Sequence, residues 1–412
     1  MYRRRVGLLS STVLELKRSC LILAFFVAMS RKLCSVVCTR SAPRSLAPRA
    51  LTRLHSNTPS SDALAAPRVI FSGIQPTGVP HLGNYLGAMQ QWVKLQNDAS
   101  SNTSLIYSVV DLHAITVHQN PDALRTSKKE MLAALLAVGL DPQKCTIFFQ
   151  SDVPAHSELM WILSCSASMG YLSRMTQWKS KLDLDENANP LDPSSKTKLK
   201  LGLFSYPVLQ AADILIHKAT HVPVGHDQSQ HLEFARECAA GFNHLAGSKV
   251  LVQPETLLSP AKRVMALDRP THKMSKSAPN PKSRILLTDS SSAISKKLRV
   301  ALTDSIEGVT YDPSARPGVS NLIEIAFNLD SSNHGAADPA EYAKEFEGLS
   351  LKALKNKVAE VVYGHLAPIR ARFEEIVGGD GKILEEAAQI GAEKARKSAE
   401  STMKEVRHAV GF

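Results

Sequence analysis

The chain has 412 residues, 44% of them apolar and 21% charged, which excludes a low-complexity, collagen-like or acid-rich disordered protein and leaves room for two or three folded domains. A net charge of +11 would suggest a nucleic-acid binder, but residues 1–61 carry eleven basic side chains against one acid, Glu15, a net of +10. The rest of the chain is close to neutral, so bulk charge gives no argument for RNA binding by the body.

The first 61 residues are rich in Arg and Ser and nearly free of acids, the composition of an organelle transit peptide that stays disordered and is removed. The apolar run Cys20 to Met29 is too short to span a bilayer as a helix, though it could serve as the apolar part of a secretory signal. No small-residue cleavage pattern follows it, and translation from Met29 would still leave six basic residues and no acid up to Ser61. The expectation is import into the mitochondrial matrix, with no membrane partner. Of six cysteines, Cys20, Cys34 and Cys38 lie in the leader, while Cys145, Cys165 and Cys238 lack the paired spacing of a zinc site and read as buried small hydrophobes.

From Arg68 onward, short apolar runs alternate with amphipathic stretches. Val69 to Ser72, Leu105 to Val110, Cys145 to Phe149 and His221 to Val224 read as buried strands. Asn84 to Gln96, Ala123 to Val138, Glu158 to Ser166 and Asp227 to Phe242 read as helices, with Asp122 and Asp227 as candidate N-caps. This pattern is that of an α/β doubly wound, Rossmann-like parallel sheet over residues 67–290, whose ligands lie beyond the carboxyl ends of the strands. Residues 179–200 are polar, contain Pro190 and Pro193, and read as an insertion. Lys273 to Ser283 is a second polar loop, and residues 291–412 show helical periodicity without a convincing strand, which reads as a helical C-terminal domain.

Two segments carry chemistry. Behind the first strand come Gly73, Gln75, Pro76, Thr77 and Gly78, then His81-Leu82-Gly83-Asn84 opening a helix. Glycines here let backbone approach a ligand and the helix N-terminus favours negative charge, although a plain tight turn would use the same residues. The segment is neither a Walker loop nor a dinucleotide fingerprint. About two hundred residues later, Lys273-Met274-Ser275-Lys276-Ser277 lies on a flexible loop, where two lysines among small hydroxyl residues suit a clamp on a triphosphate.

Together the His-Leu-Gly-Asn and Lys-Met-Ser-Lys-Ser segments resemble the two signatures of class I aminoacyl-tRNA synthetases. Within that class the tryptophanyl-tRNA synthetase family is the most similar. Phe71 to Asn84, Val110 to Thr116, Arg174 to Gln177, Tyr206 to Asp213 and Val222 to Gln228 resemble its blocks in order, and the likeness runs from Val69 to the C-terminus. It implies ATP, with Mg²⁺ carried by its phosphates, against Gln75, Pro76, Thr77, Gly83, Asn84, Gly225, His226, Asp227, Val264 and Lys273 to Ser277 (Lys273, Met274, Ser275, Lys276 and Ser277). It makes His81, Lys273 and Lys276 the catalytic candidates, and no protein metal ligand is expected. It implies a pocket for L-tryptophan built from Phe71, Gly73, His113, Gln177, Tyr206, Asp213, Val222, Val224 and Gln228. Asp213 stands among Ala211, Ala212, Ile214, Leu215 and Ile216, leaving it little solvated face. A buried carboxylate suits the indole N–H because it accepts without offering a competing donor.

The resemblance further implies tRNA(Trp) as partner, an anticodon-binding role for residues 291–412, and a homodimer. His226 departs from the bacterial pattern, where an acid precedes Asp-Gln, and Gln210 stands where Met is frequent. A tyrosine enzyme of the same class and a non-catalytic RNA-binding relative are the competing readings, and the intact phosphate machinery argues against the second. Residues 29–66 fused to a fluorescent protein should enter mitochondria; a diffuse cytosolic or secreted signal would remove the transit-peptide assignment.

Overall fold

In the computed structural model the described residues are 67–412, apart from 186, 226, 227, 259–262, 277, 331, 333 and 334. The leader expected as a transit peptide lies outside them. The four apolar runs form β1 (Arg68–Ile74), β2 (Thr103–Val109), β3 (Thr146–Phe149) and β4 (His221–Val224). A fifth strand, β5 (Glu255–Leu258), is hidden in the sequence because it is short and starts on a glutamate. All pair in parallel in the order β3-β2-β1-β4-β5, so the winding direction reverses between β1 and β4.

The strand pleat sorts alternate residues onto two cores. Ile70, Leu105, Tyr107 and Ile147 face one layer, and Phe71, Ile106, Phe148 and Val222 face the other. The first layer begins with α1, a helix over residues 82–97 whose middle, Tyr85–Met89, is π-helical. After the short α2 (Asp111–Ala114) it continues with α3 (Pro121–Ala137). Asn120, not Asp122, caps α3: its side chain accepts from Asp122 N and Ala123 N, and Pro121 supplies the first helical residue. Asp122 occupies the first turn, where an acid favours the dipole without closing the cap.

The second layer holds α4 (Ala155–Ser164), α5 (Met169–Arg174) and α6 (Gln177–Lys181). It continues through α7 (Pro193–Lys198), α8 (Leu201–Leu215) and α9 (Ser229–Ala246). The cap expected at Asp227 falls outside the described residues. Residues 179–200, expected as an insertion, are anchored by Leu182, Leu184 and Leu199 against the second core. α8 is apolar nearly all round and correspondingly buried, with Asp213 as its one charge. Cys145 and Cys238 are buried as expected, but Cys165 is exposed at the end of α4, where helical phase turns it outward.

Beyond the sheet, β6 (Met265–Ala266) and β7 (Arg269–Lys273) form an antiparallel hairpin leading into the lysine-rich loop. The remaining described residues form the helices α10 (Ser291–Arg299), α11 (Pro317–Leu329), α12 (Pro339–Tyr342), α13 (Leu351–Gly378) and α14 (Lys382–Val410). They do not build a core of their own: Ile294, Leu322 and Val358 belong to the first layer's core. Helix α14 runs from one layer to the other, Ala387 in the first core and Ala395, Ala399, Met403 and Val406 in the second. Midway it passes the free edge of β3, covering an edge that would otherwise template aggregation. The basic residues of α14 hold it there. Lys394 donates to the Pro142 carbonyl at 2.6 Å, Arg396 to that of Asp152 at 2.7 Å, and Arg407 forks onto Glu158.

Gly391 makes that passage possible, since a Cβ there would lie 1.6 Å from the Ile147 carbonyl oxygen. Gly391→Ala should cost at least about 2 kcal/mol in denaturant unfolding, by overpacking against backbone that cannot move aside. Gly364→Ala on α13, where a Cβ meets nothing within 4 Å, should stabilise by about 0.5–1 kcal/mol from helix propensity. Equal effects of the two substitutions would show that the α14 crossing is loose.

Candidate active site

At the carboxyl end of β1 the chain turns through Gln75 and Gly78, the latter at φ +83°, and reaches His81 as N-cap of α1. His81 and Asn84 form a reciprocal capping box: Asn84 N donates to His81 Nδ1 at 3.2 Å and His81 N to Asn84 Oδ1 at 3.1 Å. With Nδ1 accepting, the ring proton sits on Nε2, making that nitrogen a donor. Burial and the cations Lys276, Arg284 and Lys273 hold the imidazole pKa down at about 4, so His81 is neutral at physiological pH. Gly83 must lack a side chain, because a Cβ would come within 3.0 Å of the His81 ring.

The lysine-rich loop reaches the same place from the far side. Asn321 of α11 grips the main chain of Met265, donating to its carbonyl at 3.2 Å and accepting from its N–H at 3.0 Å. Met274 N closes the hairpin onto Val264 O at 2.9 Å. From there Lys276 Nζ donates 2.7 Å to the carbonyl of Thr77, 199 residues earlier. Burial lowers the Lys276 pKa to about 8, against the pull of Glu130 and with the push of Arg284. A lysine so poised is held more fully in its protonated form when an anion arrives.

Asp213 lies at the other end, 1% exposed. Its Oδ2 meets His113 Nε2 at 2.9 Å, and its Oδ1 meets Gln150 Nε2 at 2.7 Å and His156 Nδ1 at 2.7 Å. Burial alone would raise its pKa, but the hydrogen bonds from His113 and His156 more than reverse this and hold it at about 2. Close by, Tyr206 donates its hydroxyl proton to Gln177 Oε1 at 2.7 Å, and the Lys181 ammonium sits 4.7 Å above its ring. Burial lowers the Lys181 pKa as well.

A cavity of about 810 Å³ joins the two ends. It brings together Phe71, Gly73, Gln75, His81, Gly83 and Asn84 from the first segment with Val264, Lys273, Met274 and Ser275 from the hairpin and loop. Between them lie His113, Gln177, Tyr206, Asp213, Val222, Gly225 and Gln228, so most residues singled out in the sequence share one cleft. Pro76, Thr77 and Lys276 are not part of the lining; Lys276 and Thr77 are joined by the side-chain to carbonyl hydrogen bond. His226, Asp227 and Ser277 lie outside the described residues, and of Val224 only the backbone is described. Sequence reasoning missed Gln91, Trp92, Lys181 and Arg263 in the lining, and Gln150 and His156 beneath it. Gln150, directly behind a strand at its carboxyl end, carried a positional signal; His156 carried none.

Comparison with known proteins matches residues 65–367 to the family model of class I tRNA synthetases specific for W and Y. The chain belongs to this family. A mitochondrial tryptophan–tRNA ligase of Schizosaccharomyces pombe is 47% identical over 349 residues, 83% of this chain and 95% of that protein. The corresponding mitochondrial ligase of Saccharomyces cerevisiae is 45% identical over 86% of this chain and 93% of its own. Among solved structures, the tryptophanyl-tRNA synthetase of Mycoplasma pneumoniae superposes with a TM-score of 0.73 at 34% identity, covering 84% of this chain and 98% of that one. That of Campylobacter jejuni, solved with ADP and tryptophan, reaches 0.67 at 31%, covering 84% and 100%.

The surroundings of His81 set a pH dependence. Because the folded pKa of His81 lies below its ordinary 6.5, this residue contributes stability that is fully present above pH 6.5 and is lost as pH falls through about 4. Ring resonances of His81 should accordingly titrate near pH 4 by NMR; titration between 6 and 7 would overturn the neutral-donor assignment.

Proposed function

We propose that the chain is a tryptophan–tRNA ligase of the mitochondrial matrix. It converts L-tryptophan and ATP into tryptophanyl-adenylate and pyrophosphate, then passes the acyl group to the terminal ribose of tRNA(Trp). The observation that carries this reading is a buried carboxylate, Asp213, lining the same cavity as His81 and Lys273, with Lys276 anchored beside them on Thr77. The fungal relatives named as mitochondrial and the basic, acid-poor leader support the location.

In activation, a tryptophan carboxylate oxygen attacks the α-phosphorus while the bond to the β-bridging oxygen breaks, so no side chain acts as nucleophile. His81 offers its Nε2–H to phosphate oxygen, with Gln75, Pro76, Thr77, Gly83 and Asn84 along the same wall. Gly225, His226, Asp227 and Val264 take the nucleoside. Lys273 and Lys276, with Met274, Ser275 and Ser277, close over the departing pyrophosphate, where developing charge gives them most leverage. Mg²⁺ arrives on the ATP phosphates, which supply most of its ligands without a dedicated protein cage.

At the other end, Asp213 accepts the indole N–H, Phe71, Gly73, Val222 and Val224 pack the ring, and His113, Gln177, Tyr206 and Gln228 orient the rest. Residues 291–412 hold the anticodon end. Trp161 on α4 and Met169 on α5, 70% and 65% exposed, supply apolar surface for a homodimer.

The test is amino-acid-dependent pyrophosphate exchange: tryptophan should support it, and exchange with tyrosine alone would indicate the tyrosine enzyme. Lys276→Ala should lower the exchange rate by about 10²-fold with little change in tryptophan affinity. Since Lys276 must be protonated to act, kcat/KM for ATP should decline above about pH 8. Lys276→Arg should move that decline upward; an unmoved profile would discharge Lys276 from the role.

A further inference from the structure

The mechanism as described uses Asp213 but leaves two fully buried polar side chains beneath it without a task. Gln150 and His156 are both 0% exposed, and neither lines the cavity. Both give a hydrogen bond to Oδ1 of Asp213, whereas the partner of Oδ2, His113, does line the cavity. The carboxylate is therefore split: the partners of Oδ1 lie in the core and the partner of Oδ2 lines the cavity.

Gln150 does more than donate. Its Oε1 accepts from Leu112 N at 3.1 Å, so one amide fixes both Asp213 on α8 and the start of α2, which carries His113. His156 approaches from α4 with Nδ1, placing the proton on that nitrogen. Three donors from three elements thus occupy three of the roughly four lone-pair positions of one carboxylate. The position left over is on Oδ2, the cavity side.

We infer that Gln150 and His156 are specificity-determining positioning residues. By saturating Oδ1 they lock the Asp213 carboxylate as an acceptor with a single remaining place, aimed at the indole N–H of the amino acid. Without them the carboxylate rotates about its terminal torsion, whose well is broad, and Oδ2 no longer presents a fixed acceptor. The cost falls on substrates that carry a ring N–H and spares those that lack it.

This inference rests on the reading of Asp213 as the indole partner, so the experiment contains both. Pyrophosphate exchange is measured with tryptophan and with its benzothiophene analogue, in which sulfur replaces the ring N–H, for the full-length enzyme and for Asp213→Asn, His156→Leu, His156→Asn and Gln150→Met. Asp213→Asn should lower kcat/KM for tryptophan by about 10- to 100-fold more than for the analogue. His156→Leu and Gln150→Met should show the same selective loss, at about 5- to 30-fold. His156→Asn, which keeps an N–H near the Nδ1 position, should recover most of it. If Asp213→Asn is selective but His156→Leu and Gln150→Met lower both substrates equally, the positioning role is overturned while the indole contact stands. If Asp213→Asn itself is not selective, the indole reading fails and takes this inference with it. Should His156→Leu not fold, as judged by circular dichroism, Gln150→Met and the recovery in His156→Asn decide the matter.

Discussion

The pairing of β1 with two different partners sets everything else in place. On one side β1 runs alongside β2 in register from Arg68–Thr103 to Ile74–Val109. On the other it meets β4 in register only at Ile70–His221, held by Thr220, which donates N–H and hydroxyl to the Val69 carbonyl and accepts from Val69 N. Beyond that point no register pair joins β1 to β4, and the crevice at the winding reversal opens. Phe71 to Ile74 line one wall and Val222, Pro223 and Gly225 the other. The cavity follows from where the hydrogen-bond ladder stops, as expected at a topological switch point.

Around this crevice the C-terminal helices brace the elements that carry the candidate site residues. Asn321 of α11 holds the hairpin that delivers Lys273 and Lys276, and His365 of α13 bonds Tyr85 in the π-helical segment of α1 at 2.7 Å. The π segment lies in the helix that His81 caps, and such wide turns recur at functional sites. The helical half is therefore tied to the hairpin and to α1 by directional contacts.

The two ends of the cavity solve opposite electrostatic problems. At the His81 end, burial and the nearby Lys276, Arg284 and Lys273 keep His81 neutral, while burial and Arg284 bring Lys276 near its titration point against the pull of Glu130, so an anion there would relieve an unfavourable field. At the Asp213 end an isolated buried charge would be costly, and donors from Gln150, His113 and His156 offset that cost. The same donors leave the carboxylate little freedom, which is what discrimination by a single hydrogen bond requires.

By itself the sequence determined the strands β1 to β4, because buried parallel strands read as apolar runs, and it determined both signature segments, because phosphate chemistry demands small residues and lysines at set places. The burial of Asp213 was also legible, from its apolar neighbours along α8. β5 and the β6–β7 hairpin were not: their residues are short or exposed, and their pairing is dictated by what lies beside them. Nor could periodicity tell that α14 would run past the edge of β3, since a helix pattern reports which face is apolar and not which layer will cover it. Only the tertiary structure decided which side chains stand behind Asp213. Gln150 and His156 are brought to it from 63 and 57 residues away by separate elements, and a hydrogen bond across that distance leaves no local trace in the chain.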